Sequence, residues 1–221
     1  MKKLVLVLLM LAMVAGGLFA EGMAWGVGIK GDSQTFNISS NKAGSHTESA
    51  AFSHYGVNLF FDAKYVEVNL DMLLGDEYMY WGKTTTIGSY RYGYWYRYPV
   101  STTDIVLGVV GKFPIPIGDK FALFPYAGID YNLNISATYN GNEYSGTIPK
   151  DELMNRLAIV FGLGADFNFT DTMFLRAEIG YGIILPNKGD KDYIDFFASY
   201  KVDTTIDRAK IPYKVCIGWK L

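Results

Sequence analysis

Beyond its first twenty residues, this chain is written almost throughout in period two. Val66, Val68, Leu70 and Met72 alternate with Glu67, Asn69 and Asp71. Tyr55, Val57, Leu59 and Phe61 alternate with His54, Gly56, Asn58 and Asp62, and Phe60 breaks the rule. Successive side chains of an extended strand point to opposite faces, so each run is a strand with one oily face and one face of glycine and charge. Eight such runs follow one another, each about ten residues long and bounded by turn residues. Beyond residue 20 there is no apolar stretch of the roughly eighteen residues that a spanning helix needs.

Composition closes off other classes. Half of the 221 residues are hydrophobic and the formal charge is −2, which excludes a disordered chain. Cys216 has no partner, which excludes a disulfide scaffold, and 20 basic against 22 acidic residues leave no footprint for nucleic acid. Met1-Lys2-Lys3, the apolar run Leu4 to Val14 and the small residues before Glu21 have the layout of a secretory signal peptide over residues 1–20, cleaved after Ala20. Residues 21–221 then form one exported domain.

Strands with one oily face close either as a soluble barrel, oily side in, or as a membrane barrel, oily side out. The connections decide between them. Those after the second, fourth and sixth strands are short, at Asp62-Ala63-Lys64, Pro114–Asp119 and Thr170-Asp171-Thr172. Those after the first, third, fifth and seventh run to about twenty residues or more, far beyond an ordinary hairpin loop. Outward aromatics fall in two belts where rings favour the lipid–water boundary. Trp25, Phe61, Phe113, Phe121, Phe167, Phe169 and Trp219 lie near the short turns, and Tyr55, Tyr131, Tyr181 and Tyr213 near the long ones. The expected fold is all-β: an eight-stranded antiparallel up-and-down transmembrane β-barrel with four long extracellular connections and short periplasmic turns.

The inward set contains Lys30, Glu67, Asn69, Asp71, Asp104, Lys112, Asp130, Asp166, Arg176, Glu178, Lys210 and Lys214, close to balance in sign. Counting through the turns puts Asp166 opposite Arg176 and Asn58 opposite Asn69. A barrel of about eight strands is just wide enough for side chains to fill it. Paired lumen charges therefore read as a salt-bridged plug, with a narrow solute path as the alternative.

Phe124-Pro125-Tyr126-Ala127-Gly128-Ile129-Asp130-Tyr131 resembles a strand of the small outer-membrane barrels related to outer-membrane protein W. Phe161-Gly162-Leu163-Gly164-Ala165-Asp166 and Phe174-Leu175-Arg176-Ala177-Glu178-Ile179-Gly180-Tyr181 are similar to the closing hairpins of that family and of the OmpA/OmpX-like barrels. The last strand, with Tyr213, Ile217 and Trp219 at alternate positions, resembles their assembly signal, although this chain ends in Leu221. The resemblance implies a bacterial outer-membrane location and handling by the barrel assembly machinery. It also implies passage or capture of small, often hydrophobic, molecules, from which the charged lumen departs.

Chemistry is sparse. Ser45-His46-Thr47-Glu48-Ser49 groups a hydroxyl, an imidazole and a carboxylate, but such residues are ordinary in a polar loop, and no enzyme activity is expected. His46, His54 and Cys216 make a poor metal set, and no metal or cofactor is expected. Asp190, Asp192 and Asp195 alternate with Lys188 and Lys191 and read as a solvated loop. The segment near 76–99 is less ordinary: Tyr90, Tyr92, Tyr94, Tyr96 and Tyr98 alternate with Arg91, Gly93, Trp95 and Arg97, a strand-like hairpin rich in residues that bind at interfaces. Two functions follow from different classes. One is a narrow porin-like conduit for small solutes. The other is a non-conducting structural or adhesive barrel that presents the tyrosine-rich hairpin to an extracellular ligand, with outer-membrane lipid around the wall in either case.

Overall fold

The computed structural model describes residues 22–40, 48–87, 90–139, 142–143, 154–198 and 203–221, with the backbone alone at 48, 78–87, 90–98, 142–143, 192–193 and 196–197. The expected signal peptide and Ser45-His46-Thr47 lie outside the described residues. The strands are β1 (Met23–Ser40), β2 (Glu48–Ala63), β3 (Val66–Ile87), β4 (Tyr90–Lys112), β5 (Ile115–Ile117), β6 (Phe121–Tyr139), β7 (Asn142–Glu143), β8 (Arg156–Asn168), β9 (Met173–Ile184) and β10 (Thr204–Lys220). The helix α1 (Lys188–Ala198) precedes β10.

Eight long strands pair antiparallel with their sequence neighbours, β10 pairs with β1, and β4 pairs with β6, so the sheet closes on itself. Strands β5 and β7 are small additions paired to β6. The shortest wall strand has 12 residues, about 40 Å of extended chain, which exceeds an apolar band of about 25 Å. Burial is inverted relative to a soluble barrel: Ile29 is 69% exposed and Leu163 63%, whereas Glu67 is 0% and Arg176 1% exposed. The oily faces point outward.

Three features differ from the sequence reading. Asn58 pairs in register with Asp71, and Asp62 with Glu67. The chain turns through Lys64 and Tyr65, with Lys64 in the left-handed region at φ 62°. That moves the register by two residues, which leaves each side chain on its expected face. Second, much of what reads as long connection is ladder: β1 and β2 stay paired up to Ile38–Glu48, and β3 and β4 up to Ile87–Tyr90. Above the belt the outward residues become polar, as at Thr35, Asn37 and Ser39, so the hydrophobic signal ends before the strand does. Third, the acidic loop near Asp190 is a helix. Asn187 Oδ1 accepts from the Asp190 amide at 2.9 Å, and Asp190 Oδ2 accepts from the Asn187 amide at 3.2 Å. This reciprocal cap satisfies donors at the start of α1.

Candidate functional site

Alternation along eight strands sends every second side chain into one narrow lumen. Lys30, Glu67, Asn69, Asp71, Asp104, Lys112, Asp130, Arg176, Lys210 and Lys214 are buried there, with Asp166 and Glu178 half-buried on the same face. The expected aromatic belt residues lie on the outer face, and Trp25 stacks on Trp219 at 4.9 Å between ring centres.

The charges form three rungs. At the short-turn end, Arg176 donates from Nε and Nη2 to the two oxygens of Asp166, both at 2.7 Å, from Nη2 to Asp62 at 2.7 Å, and from Nη1 to Glu67. Lys112 pairs with Asp62 beside it. In the middle, Lys214 pairs with Glu67, reaches Glu178 at 3.1 Å and donates to Asn69 at 2.9 Å. Lys30 pairs with Asp71, and Lys210 with Asp130 at 2.7 Å. At the loop end, Glu77 pairs with Arg156 and lies 3.3 Å from Arg208, which holds Asp190 of α1 at 2.9 Å. Arg176–Asp166 and Lys214–Glu178 join adjacent strands, and Arg208–Asp190 reaches the helix. The other pairs join strands that are not neighbours in the wall, among them β10 to β3 and β6, and β9 to β2 and β3. They cross the lumen.

The lowest rung depends on apolar residues as much as on carboxylates. Phe60, Phe124 and Phe174 place their ring centres 4.8, 5.1 and 5.0 Å from the Arg176 guanidinium carbon. Phe60 is thus an interior residue that contacts the cation, and its break in alternation has a use. Glycines make room for these rings. A Cβ at Gly164 would lie 2.2 Å from the Phe124 ring, and one at Gly218 would lie 2.2 Å from that of Phe174. Removing one partner from a buried charge network strands the others, at a cost of about 3–5 kcal/mol.

His54, on the polar face of the second run, is buried in the lumen with its Nδ1 3.0 Å from Asp32. Asp32, Asp62, Glu77, Arg156 and Arg208 also belong to the network. Asp62 already stood on the polar face of the second run, and the other four share inward parity with a residue on that face, so longer strands would have revealed them. Asp190 is buried rather than solvated. Burial pushes its carboxyl upward, but the charges of Arg208 and Arg156 and its hydrogen bonds hold it below its ordinary value. Asn58 and Asn69 do meet, on the diagonal, with Asn58 Nδ2 donating to Asn69 Oδ1 at 3.0 Å. Among the described residues no group of three or more His, Cys, Asp or Glu is arranged to hold a metal.

Two spaces flank this network. A cavity of about 20 Å³, room for one water, lies among Lys30, Asp130, Tyr126, Glu178 and Lys214. A cleft of about 750 Å³ opens at the loop end, where β2 and β3 part above His54 and Gly75. Apolar packing of Phe36, Ile38 and Ile206 with Phe52 and Ile194 fills the mouth beside it.

The family model described as outer membrane protein beta-barrel domain matches residues 5–202. The chain belongs to that family. It is an integral protein of the bacterial outer membrane. Solved structures of similar shape include Neisserial surface protein A, at 11% identity over 91% of this chain and 100% of that one, with a TM-score of 0.48. OprG from Pseudomonas aeruginosa matches at 10% identity over 90% of this chain and 95% of that one, with a TM-score of 0.42. Ail of Yersinia pestis matches at 11% identity over 91% and 99%, with a TM-score of 0.36. No curated protein matches the chain. Within this family member, the lumen network and the cleft are the features with chemistry to offer.

Proposed function

We propose that this outer-membrane barrel is a non-conducting pedestal that presents its loop end, the β3–β4 hairpin above all, for recognition. The observation that supports this is the set of ion pairs joining opposite walls of the lumen, from Arg176 to Glu67 and from Lys210 to Asp130. A solute would have to break several buried pairs at once, each costing a few kcal/mol. Register places Tyr90, Tyr92, Tyr94, Tyr96 and Tyr98 on one face of the hairpin, opposite Ile87, Thr85, Lys83, Trp81 and Met79. Their side chains lie outside the described residues, and the recognition role is read from residue type and position.

The second reading is a narrow conduit carried by Glu67, Asp71, Asp104, Asp130, Asp166, Arg176 and Glu178, and the water-sized cavity beside Glu178 favours it. Single-channel recording separates the two. Refolded protein in planar bilayers is expected to give no steps in the wild type. Regular steps in the wild type that change in size with Arg176→Ala would overturn the pedestal. In either reading, lipid contacts the outward belts and the assembly machinery engages β10.

A further inference from the structure

Among the described residues the β2–β3 ladder rises from Asp62–Glu67 to His54–Gly75 and stops there, but neither strand stops with it. Strand β2 continues to Glu48 along β1, and β3 continues to Ile87 along β4. Strand β4 in turn stays with β6 through Ser101–Thr138. The wall therefore parts along this seam, and a cleft of about 750 Å³ fills the gap, within the size range of ligand sites. Ala51 and Ser53 line one bank, Asp76 and Glu77 the other, and Ser101 and Thr138 lie behind. Each bank is the edge of a strand, and a strand edge directs backbone donors and acceptors sideways.

We propose that this cleft accepts an extended peptide segment of another protein, which adds a strand between β2 and β3. The proposal deepens the presenting-barrel reading and rests on its view of the loop end as a recognition surface. Backbone pairing is the chemistry that two facing strand edges offer, and an extended chain is the ligand that answers both. The lining is mixed, as suits a chain with both side chains and backbone to bury. Phe52, Tyr55 and Val100 offer apolar contact. Ser53, Asp76, Ser101 and Thr138 would lose water to an acyl chain and gain no hydrogen bond in return. Charge selects further. Asp76 is exposed at the rim, accepts from Ser101 Oγ at 2.9 Å, and attracts a lysine or arginine of the incoming segment.

Amide hydrogen exchange tests this. The mature chain, refolded in detergent micelles, is incubated with a capped eight-residue peptide of alternating threonine and valine carrying one central lysine. Exchange at alternate amides of residues 49–53 and 76–77 is expected to slow at least about tenfold. Asp76→Lys is expected to weaken peptide binding at least about tenfold, with the folded form still recognised by its mobility in unheated SDS. No slowing at the peptide's solubility limit would overturn the proposal. Equal slowing by the same peptide N-methylated at alternate residues would overturn it too, because backbone donors would then be irrelevant. So would protection that needs no peptide and grows with protein concentration, since a second copy would then occupy the cleft. Bilayer conductance reads the lumen and leaves this result untouched, so the two failures are distinguishable.

Discussion

At the short-turn end of the barrel, Arg176 is held by carboxylates from β2, β3 and β8 and by three phenylalanine rings, inside a wall whose ladders are continuous. At the loop end, two arginines share Glu77, one of them also holds a helix, and the wall opens between β2 and β3. The same strands build both ends, so the difference comes from what surrounds them. The ladder stops one pair above Tyr55–Leu74, beside the outward tyrosine of the upper belt. Below that level a strand edge would face hydrocarbon with its backbone groups unsatisfied, which costs several kcal/mol per group. Above it, water satisfies an open edge, so the wall can part where a partner has access.

The contrast can be broken most directly at its stronger end. Arg176→Ala is expected to destabilise the barrel by about 3–5 kcal/mol, because Asp62, Glu67 and Asp166 lose their shared cation. Urea titration followed by heat-modifiable SDS mobility reads this, and a shift too small to measure would mean the rung is ornamental. Gly164→Val, on the same level, drives a side chain into the Phe124 ring and should cost about 1–3 kcal/mol by the same measurement.

Acid should loosen the upper end selectively. Asp190 is held below its ordinary value of 3.8, so its ionised form stabilises the fold above that pH. That contribution is lost as pH falls through the lower folded value. Amide protection across α1, taken relative to the intrinsic exchange rate at each pH, should therefore fall below pH 3.8 in the wild type but change little with pH in Asp190→Asn. The smallest effect belongs to the hairpin. Replacing residues 79–97 with a short turn should alter barrel stability by no more than about 0.5 kcal/mol, as for surface changes generally. A larger loss would mean that the hairpin supports the wall rather than standing on it.

The faces of the strands were legible in the sequence because lipid outside and charge inside give each residue a definite side. Phe60 breaks the alternation because the rule of apolar outward fails where a buried guanidinium needs rings beside it. The ladder above the belt was hidden for the opposite reason. Ser33, Thr35, Asn37 and Ser39 are polar on the outside, and their alternation carries no hydropathy contrast. Arg208 lay in plain view, two residues before Lys210 and on the same face. The helix was also signalled, since Asn187 and Asp190 have capping-box spacing, but the lysines around Asp190 suggested solvent instead. Which lumen charges would meet across the barrel was not legible, because parity fixes a side chain's face and not its partner on a distant strand.

Cys216 sits opposite Gly28 on the seam where the first and last strands join, 1% exposed, with its Sγ 3.2 Å from Asn58 Oδ1. Gly28 across the seam and Asn58 and Phe60 of β2 come to the thiol only when β1 meets β10. The single thiol is therefore a native clock for barrel completion: maleimide labelling should proceed while the seam is open and cease when the circle of strands is joined, with no probe engineered into the chain.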